Sequence, residues 1–315
     1  FVIAVSKEVE RDIRELGGKR VQIKIIPPFI KPFDRKGRLL STGESEITRI
    51  FGCGTIEQRK GFDLFCEAIG KLRDCRVKFS AIWIGPSSND EEPDKSISRF
   101  NVSDLVQAVG AHESPRSLYK AGDIFFMPSR EDPFPLVCLE AAECGLAIVC
   151  FDEHAGGMAS FVRASSSGLV CRYLDVEDAV HCLGLLLENK EMRYNMGNSG
   201  ATYVKRHFYP ENVVPEIIPI IRKDFDVTDR IVVERAKLRV LVVSFGPAPI
   251  FGIKNVEGGG LRSWGLAKAI LSGGIYDVTF DFPNWYVKES NNISESVMGV
   301  RVSTWGNIEE LLSHV

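Results

Sequence analysis

Two adjacent cations follow a glycine-containing turn in the first quarter of the chain. Gly54 begins the turn, and Arg59 and Lys60 come just before a stretch with a helical pattern. Arginine offers a planar fork and lysine a point charge, a combination that suits a diphosphate. Cations at a helix N-terminus are electrostatically misplaced unless an anion lies between them and the helix. The stretch therefore predicts a phosphate site, and a solvated Arg-Lys pair is the alternative.

Two carboxylates surround a second helix start. Asp132 lies in a proline-rich loop, Pro135 suits a first helical position, and Glu140 then falls on the second turn. The backbone N–H groups of Leu136, Val137 and Cys138 have no partner inside such a helix and face the loop. The pattern predicts that these amides hold phosphate while the carboxylates accept hydrogen bonds from a sugar and a ribose. The alternative is that Asp132 caps the helix and Glu140 is exposed.

Three more turns contain glycine next to an apolar run. Gly156 and Gly157 open a helix and indicate either a close approach to a ligand or a flexible turn. Gly85 and the pair Val109-Gly110 end other apolar segments. These turns give weaker evidence for a ligand site.

The composition is that of a globular protein and excludes several classes. Hydrophobic residues make up 44% and charged residues 26% of the 315 residues, and the net charge is −3. That charge gives no positive field for nonspecific nucleic-acid binding. No apolar run reaches the length of a membrane span, and the N-terminal residues lack the features of a signal peptide. We therefore expect a cytoplasmic protein with no transmembrane segment and no nucleic-acid partner.

Cysteine and histidine give no sign of metal or redox chemistry. The eight cysteines include no C-x-x-C pair, and the five histidines share no ligand spacing. We expect reduced, buried thiols and no metal site.

Strand-like and helix-like stretches alternate from about residue 46, which predicts an α/β fold with a parallel sheet. The predicted strands cover residues 47–53, 77–84, 123–127, 147–151 and 169–170. The predicted helices cover residues 62–72, 117–121, 135–143, the stretch after Gly157, 176–187, 191–203 and 210–222, with a polar loop at 86–96 and a short apolar segment at 106–109. Because ligands of such sheets bind at the carboxyl ends of the strands, the turns described above would meet there.

Several of these stretches occur together in an order that is more specific than any one of them. The stretches are Arg59–Phe65, Trp83–Gly85, Tyr119, Ala121–Phe125, Pro128–Glu140, Gly156-Gly157 and Gly168–Val170. In that order they resemble the nucleotide-sugar-binding half of a GT-B glycosyltransferase, specifically the retaining class called family four, also described as glycosyl transferases group 1. The resemblance covers about residues 1–222 and implies a Rossmann-like parallel sheet.

The resemblance implies a role for each candidate residue. Arg59 and Lys60 would neutralise the departing diphosphate, and Asp132 would contact the donor sugar. Val109 and Gly110 would lie beside the base, the amides of Leu136 and Val137 would bind phosphate, and Glu140 would bind the ribose. The remaining donor-binding residues would be Gly54, Gly85, Pro135, Gly156 and Gly157. Such chemistry needs electrostatic stabilisation of a leaving nucleotide, and it implies no metal and no cofactor besides the nucleotide-diphosphate sugar donor. The acceptor and the base are left open.

Three positions depart from the family pattern. Asp132 stands where the family usually has Glu, Ser160 stands where many members carry Glu, and Thr55 stands where many carry Arg. These departures keep two alternatives open, a noncatalytic interaction module with GT-B architecture and a nucleotide-sugar epimerase.

The resemblance also implies a domain organisation. Residues 1–24 would end a preceding acceptor-type half, 25–222 would form the nucleotide-sugar domain, and 223–237 would be a linker. Residues 238–315 would be a second, truncated Rossmann-like α/β segment that resembles the start of another glycosyltransferase unit, so that the chain is a fragment spanning a junction. We expect a strand at 238–245, a helix at 261–271 and a strand at 278–282.

A dinucleotide site competes for that last segment. Asp281 lies about 20 residues after Gly260, as a ribose-binding acid would. However, Ser263 falls where the last glycine of the fingerprint should be, which disfavours this alternative.

Overall fold

The computed structural model describes residues 2–15, 22–33, 47–87 and 92–223, and four strands at 238–243, 276–283, 294–297 and 300–305. The chain divides into two compact units, Phe1–Asp226 and Val227–Val315. Each unit is described by itself. The domain boundaries expected from the sequence stay predictions.

The first unit alternates strands and helices from its start to its end. In chain order its elements are β1 (Val2–Ala4), α1 (Lys7–Glu15), β2 (Ile23–Ile25), β3 (Thr48–Cys53), α2 (Phe62–Lys71), β4 (Phe79–Ile84), α3 (Glu92–Arg99), β5 (Val106–Ala108), α4 (Pro115–Tyr119), β6 (Ile124–Met127), α5 (Leu136–Glu143), β7 (Ala147–Phe151), α6 (Met158–Ser165), β8 (Gly168–Cys171), α7 (Val176–Glu188), α8 (Lys190–His207) and α9 (Pro210–Lys223).

Strands β3 to β8 form one six-stranded sheet in the order β5-β4-β3-β6-β7-β8. Every pairing in it is parallel, which confirms the predicted Rossmann-like α/β class. The strand order reverses between β3 and β6. A crevice forms at such a switch point beyond the carboxyl ends of the two strands, and ligands bind there.

Hydrophobic cores cover both faces of this sheet. Successive side chains of a strand point to opposite faces, so Ile50 packs in one core with α2 and α7, while Phe51 packs in the other with α5 and α6. All five residues of β7 are buried. A continuous apolar run is what a central parallel strand needs, because helices cover it on both sides.

One predicted loop is wrong in part. The polar stretch 86–96 contains the start of α3 at Glu92. Pro93 is tolerated in the first turn of a helix, Ser96 is buried, and Ile97 packs against the core beside α2. The helix was not predicted because most of its residues are polar and only one narrow face of it packs against the core.

The segment before the large sheet contains a strand that the sequence did not indicate. Strand β2 pairs in parallel with β1, matching Val2 with Ile23 and Ala4 with Ile25. Downstream, Ile26 and Ile30 are buried, and the Ile30 amide donates to the Phe208 carbonyl. These residues attach the segment to the rest of the first unit.

The second unit contains β9 (Leu238–Val243), β10 (Tyr276–Pro283), β11 (Ser294–Val297) and β12 (Val300–Trp305) in the order β11-β12-β10-β9. The two predicted strands are confirmed as β9 and β10 and are parallel, and the unpredicted β11 is antiparallel to β12. The helix predicted at 261–271, the nearby glycines and the linker at 224–237 lie outside the described residues. Among the helices that are described, none is long and apolar enough to cross a bilayer.

Candidate functional site

A short 3-10 turn presents the two predicted cations at the carboxyl end of β3. The turn covers Gln58–Lys60 and ends at Gly61, which adopts a left-handed conformation with φ of +74°. A Cβ atom on Gly61 would overlap the Pro128 carbonyl oxygen, so only glycine allows this approach. The Arg130 amide also donates to the Arg59 carbonyl at 2.8 Å. The turn after β3 and the loop after β6 are thereby held side by side.

Arg130 fixes this arrangement from the second loop. Its guanidinium donates to both carboxylate oxygens of Asp63, at 2.8 and 2.7 Å, and to the Gln58 carbonyl at 2.6 Å. Burial alone would raise the pKa of Asp63, but the hydrogen bonds and positive charge of Arg130 hold it below its ordinary value. The pair is a bidentate ion pair, which adds geometric specificity to its energy.

Lys60 reaches across to the first predicted acid. Its Nζ atom lies 2.5 Å from Asp132 Oδ2, and both side chains are largely buried, with exposures of 18% and 9%. Arg59 is more exposed and contacts Glu57 Oε1 at 2.8 Å and the Glu131 carbonyl at 3.2 Å. The structure therefore gathers Arg59, Lys60 and Asp132 at the switch point. It shows Lys60 as a buried ion-pair partner and not as a solvated helix-start cation.

The first turn of α5 faces the same place. Pro135 precedes the helix in an extended conformation and no described side chain caps it, so the alternative of Asp132 as a cap is not what the structure shows. Pro135 was expected at the first helical position and instead lies one residue before it. Within the described residues no acceptor lies within hydrogen-bond distance of the Leu136 and Val137 amides. The Cys138 amide was also expected to be free, but it donates to the Pro135 carbonyl at 3.2 Å. The Leu136 and Val137 N–H groups are the free donors that a helix N-terminus offers to an anion.

Glu140 lies one turn further along α5. The alternative of an exposed Glu140 is not what the structure shows. Its Oε1 atom is 3.3 Å from Nη2 of Arg116 on α4, and its side chain is 19% exposed. The charges of Glu140 and Lys60 both act on the Cys53 thiol, which ends β3. Burial is the main cause that raises the pKa of Cys53 to about 11. Cys53 is therefore a neutral, unreactive thiol at the end of β3.

The turns after β4 and β5 form a second group beside the first. The Gly54 amide donates to the Ile84 carbonyl, the Gly85 amide to the Gly110 carbonyl, and the Val109 amide to the Trp83 carbonyl. A cavity of about 270 Å³ opens there and is lined by Gly85 and Gly110 together with Ile56, Asp94, Ile97 and Ala108. The Val109 side chain is partly exposed. The lining therefore includes both apolar side chains and a carboxylate.

Gly156 and Gly157 approach protein backbone closely. Gly156 has φ of +133°, and a Cβ atom on it would overlap the Asp132 carbonyl oxygen. The Asp132 amide donates to the Ala155 carbonyl at 2.7 Å and the Gly157 amide to the Pro133 carbonyl at 3.1 Å. This pair therefore positions the Asp132 loop, and its contact with the donor stays a prediction.

Ser160, the position that departs from the family pattern, faces a carboxylate from another element. Its hydroxyl donates to Glu8 Oε1 at 3.1 Å, and Glu8 lies buried on α1. Sequence reasoning did not find Glu8, Arg116 or the Asp63–Arg130 pair, because each pairs with residues distant in sequence. Nowhere in the described ranges do three His, Cys, Asp or Glu side chains gather as a metal site would.

Comparison with protein-family models gives a match over residues 44–203 to the family described as glycosyl transferases group 1. This match includes the turn with Lys60, the loop with Asp132, and helix α5. It covers about half of the 315 residues. The chain belongs to the glycosyl transferases group 1.

Curated glycosyltransferases are similar to the chain over part of their length. A lipopolysaccharide core biosynthesis mannosyltransferase of Rhizobium meliloti is 25% identical over 188 residues, which are 57% of this chain and 53% of that protein. An N-acetylgalactosaminyltransferase of Campylobacter jejuni, which acts on a diphospho-undecaprenol, is 30% identical over 157 residues, covering 50% of this chain and 39% of that protein. The chain thus spans about half the length of these relatives, or less.

Solved structures of group 1 type share the fold. A sucrose-phosphate synthase from Thermosynechococcus elongatus aligns with a TM-score of 0.62 at 20% identity, over 72% of this chain and 58% of that one. Anabaena HepE in complex with UDP and glucose aligns with a TM-score of 0.62 at 19% identity, over 71% and 63% of the two chains. At these identities the likeness shows the GT-B fold alone.

Proposed function

We propose that the chain binds a nucleotide-diphosphate sugar at the switch point between β3 and β6, and that the protein transfers the sugar to an acceptor. The observation that carries this proposal is the position of Lys60. Its ammonium group pairs with Asp132 in a partly buried contact, next to a helix start whose Leu136 and Val137 amides have no acceptor among the described residues. A cation and free amides that face one point are the groups that bind a diphosphate.

Each group has a separate task in the proposed site. Lys60, Arg59 and the amides of Leu136 and Val137 neutralise the diphosphate as negative charge develops on it. The Asp132 carboxylate accepts hydrogen bonds from hydroxyls of the donor sugar, and Glu140 accepts them from the ribose. The cavity beside Gly85 and Gly110 takes the base, which can pack against Ile56 and Ile97.

The reaction type comes from the family. We propose transfer with retention at the anomeric carbon and without a metal or a further cofactor, because the site has cations and amides to stabilise the leaving group. The mannosyl- and N-acetylgalactosaminyltransferases among the relatives and the UDP-bound neighbour support a nucleotide-sugar donor. Since the chain spans about half of such relatives, donor binding is the part of the reaction that we assign to the residues described here.

Titration calorimetry with UDP, GDP and ADP tests the donor site. We expect the chain to bind at least one of them and Lys60→Met to weaken that binding by about tenfold or more, because a charge-assisted contact is lost. Lys71→Met is the matched control. Lys71 is also paired, with Glu177 at 2.7 Å, but it lies at the far end of α2, so its removal should change the affinity less than about twofold. Absence of binding to all three nucleotides would refute the proposal.

The noncatalytic alternative rests on the Asp and Ser that replace family glutamates at 132 and 160. Sugar transfer by the whole protein, compared with Glu140→Ala, separates the two functions. A transferase loses activity when the ribose contact is removed, whereas an interaction module has no activity to lose.

A further inference from the structure

A buried triad of charges lies behind the proposed ribose contact. Arg116 Nη2 is 3.3 Å from Glu140 Oε1, and Arg116 Nη1 is 3.0 Å from Glu143 Oε2. The three side chains are 18%, 19% and 2% exposed, respectively. One arginine therefore joins the outer carboxylate of α5 to an inner carboxylate on the same helix.

The inner carboxylate, Glu143, accepts hydrogen bonds from several parts of the chain. Glu143 Oε1 accepts hydrogen bonds from the Phe33 amide at 2.9 Å and from the Tyr209 hydroxyl at 2.7 Å. Arg116 itself donates to the Lys31 carbonyl at 2.6 Å and lies over the Phe33 ring at 5.3 Å. Glu143 is 2% exposed and accepts from three groups, so the inner end of the cluster gives the guanidinium a fixed partner.

A fixed guanidinium restricts the carboxylate beside it. Arg116 Nη2 lies 3.3 Å from Glu140 Oε1 and so restricts the orientation of a carboxylate group, which can accept several hydrogen bonds at once. It also offsets the negative charge of Glu140, which would otherwise repel a nearby diphosphate. Both effects favour a nucleotide that carries a ribose in one orientation.

We infer that Arg116 is a positioning residue for ribose recognition: anchored by Glu143, it orients Glu140 so that this carboxylate accepts the ribose 2′-hydroxyl. The inference rests on the proposed donor site and adds a residue to it that contacts no substrate. It predicts that Arg116 controls discrimination between ribose and 2′-deoxyribose, a property that a merely structural role would not change.

The test compares affinities for UDP, GDP and ADP with those for their 2′-deoxy counterparts by calorimetry. We expect the wild-type chain to prefer the ribonucleotide by about 10-fold or more, since a hydrogen bond to a charged group is lost in the deoxy form. In Arg116→Met the preference should fall below about 3-fold. Arg116→Lys should be intermediate, because it keeps the charge but loses the planar fork.

Removing one member of a buried charge cluster can unfold a protein. A second variant therefore tests the inference without leaving an unpaired buried charge. Arg116→Met combined with Glu143→Gln leaves no uncompensated inner charge and should still lose the ribose preference. Glu143→Gln alone retains Arg116 but weakens its anchor, so the preference should fall to an intermediate value. Arg73→Met removes an arginine paired with Asp104 on the surface and should leave the preference unchanged.

The outcomes separate this inference from the donor site itself. If Arg116→Met weakens ribo- and deoxyribonucleotides equally, or if the wild-type chain binds a nucleotide without preferring ribose, the positioning role is wrong while donor binding stands. If the wild-type chain binds none of the nucleotides, the donor site fails, and this inference fails with it.

Discussion

At the scale of single residues, the ion pair between Arg130 and Asp63 determines where the cation turn lies. Arg130 also holds the Gln58 carbonyl, and the next two residues along the turn are Arg59 and Lys60. The Lys60–Asp132 contact therefore depends on a pair that touches neither residue. The sequence indicated Lys60 and Asp132 because each adjoins a helix start. It gave no signal for Asp63 and Arg130, whose 67-residue separation becomes a contact only in the folded sheet.

This pair predicts a pH-dependent contribution to stability. The pKa of Asp63 is lowered in the folded state by Arg130, against the opposing effect of burial. The contribution is thus fully present above the ordinary pKa of 3.8 and is lost as the pH falls through the lower folded value. At pH 7 we expect Asp63→Asn to lower the free energy of unfolding by about 1 kcal/mol, as measured in urea.

The difference between wild type and Asp63→Asn should shrink toward zero when the pH is lowered to about 3. In an Arg130→Met background it should be small at every pH, because the partner is already gone. A difference that stays constant between pH 7 and pH 3 would contradict this account.

At the scale of elements, α8 packs unusually close to the end of α5. A Cβ atom on Gly197 would overlap the Gly145 carbonyl oxygen, and one on Gly200 would lie 2.7 Å from the Ser167 Cβ. Helix α8 covers β7 and β8 as well. The close approach therefore sets how α5, and with it the amides of Leu136 and Val137, sits over the sheet.

We expect Gly197→Ala to destabilise the protein by about 2 kcal/mol, since the added methyl group forces the two helices apart. Gly184→Ala is the matched control. It adds the same methyl group to α7, where no atom lies within 4 Å of the new Cβ, and it should stabilise by about 0.5–1 kcal/mol through helix propensity. Urea unfolding measures both changes, and equal effects of the two substitutions would be inconsistent with close packing.

Helices and strands were predicted from the sequence where their hydrophobic pattern is strong. The central strands and the amphipathic helices were predicted because burial imposes a period or a continuous apolar run on the sequence. The three-residue strand β2 and the narrow helix α3 were missed because they bury too few side chains to show one. Helix α9 forms despite Pro215 and Pro219.

At the scale of the whole molecule, the topology of the sheet brings together residues that are distant in the sequence. Residues 59–60, 132–140 and 156–157 were expected to meet because parallel strands place their carboxyl ends at one edge of the sheet. The Arg116–Glu143–Tyr209 network was not foreseen. The Glu-Ala-Ala-Glu stretch of α5 gives no sign in the sequence that its second glutamate points inward, and its partners come from three other parts of the chain.

The first unit contains the two hydrophobic cores found among the residues whose side chains are described, and every residue of the proposed donor site. A chain that ends at Asp226 should therefore fold cooperatively and bind the nucleotide with a Kd within about threefold of the full chain, since neither property needs residues beyond the unit. At about 100 times Kd the ligand should raise the free energy of unfolding by about 2.7 kcal/mol. Urea unfolding with and without nucleotide measures this. A truncated chain that aggregates, or that folds but binds more than tenfold weaker, would show that residues after Asp226 contribute to the unit.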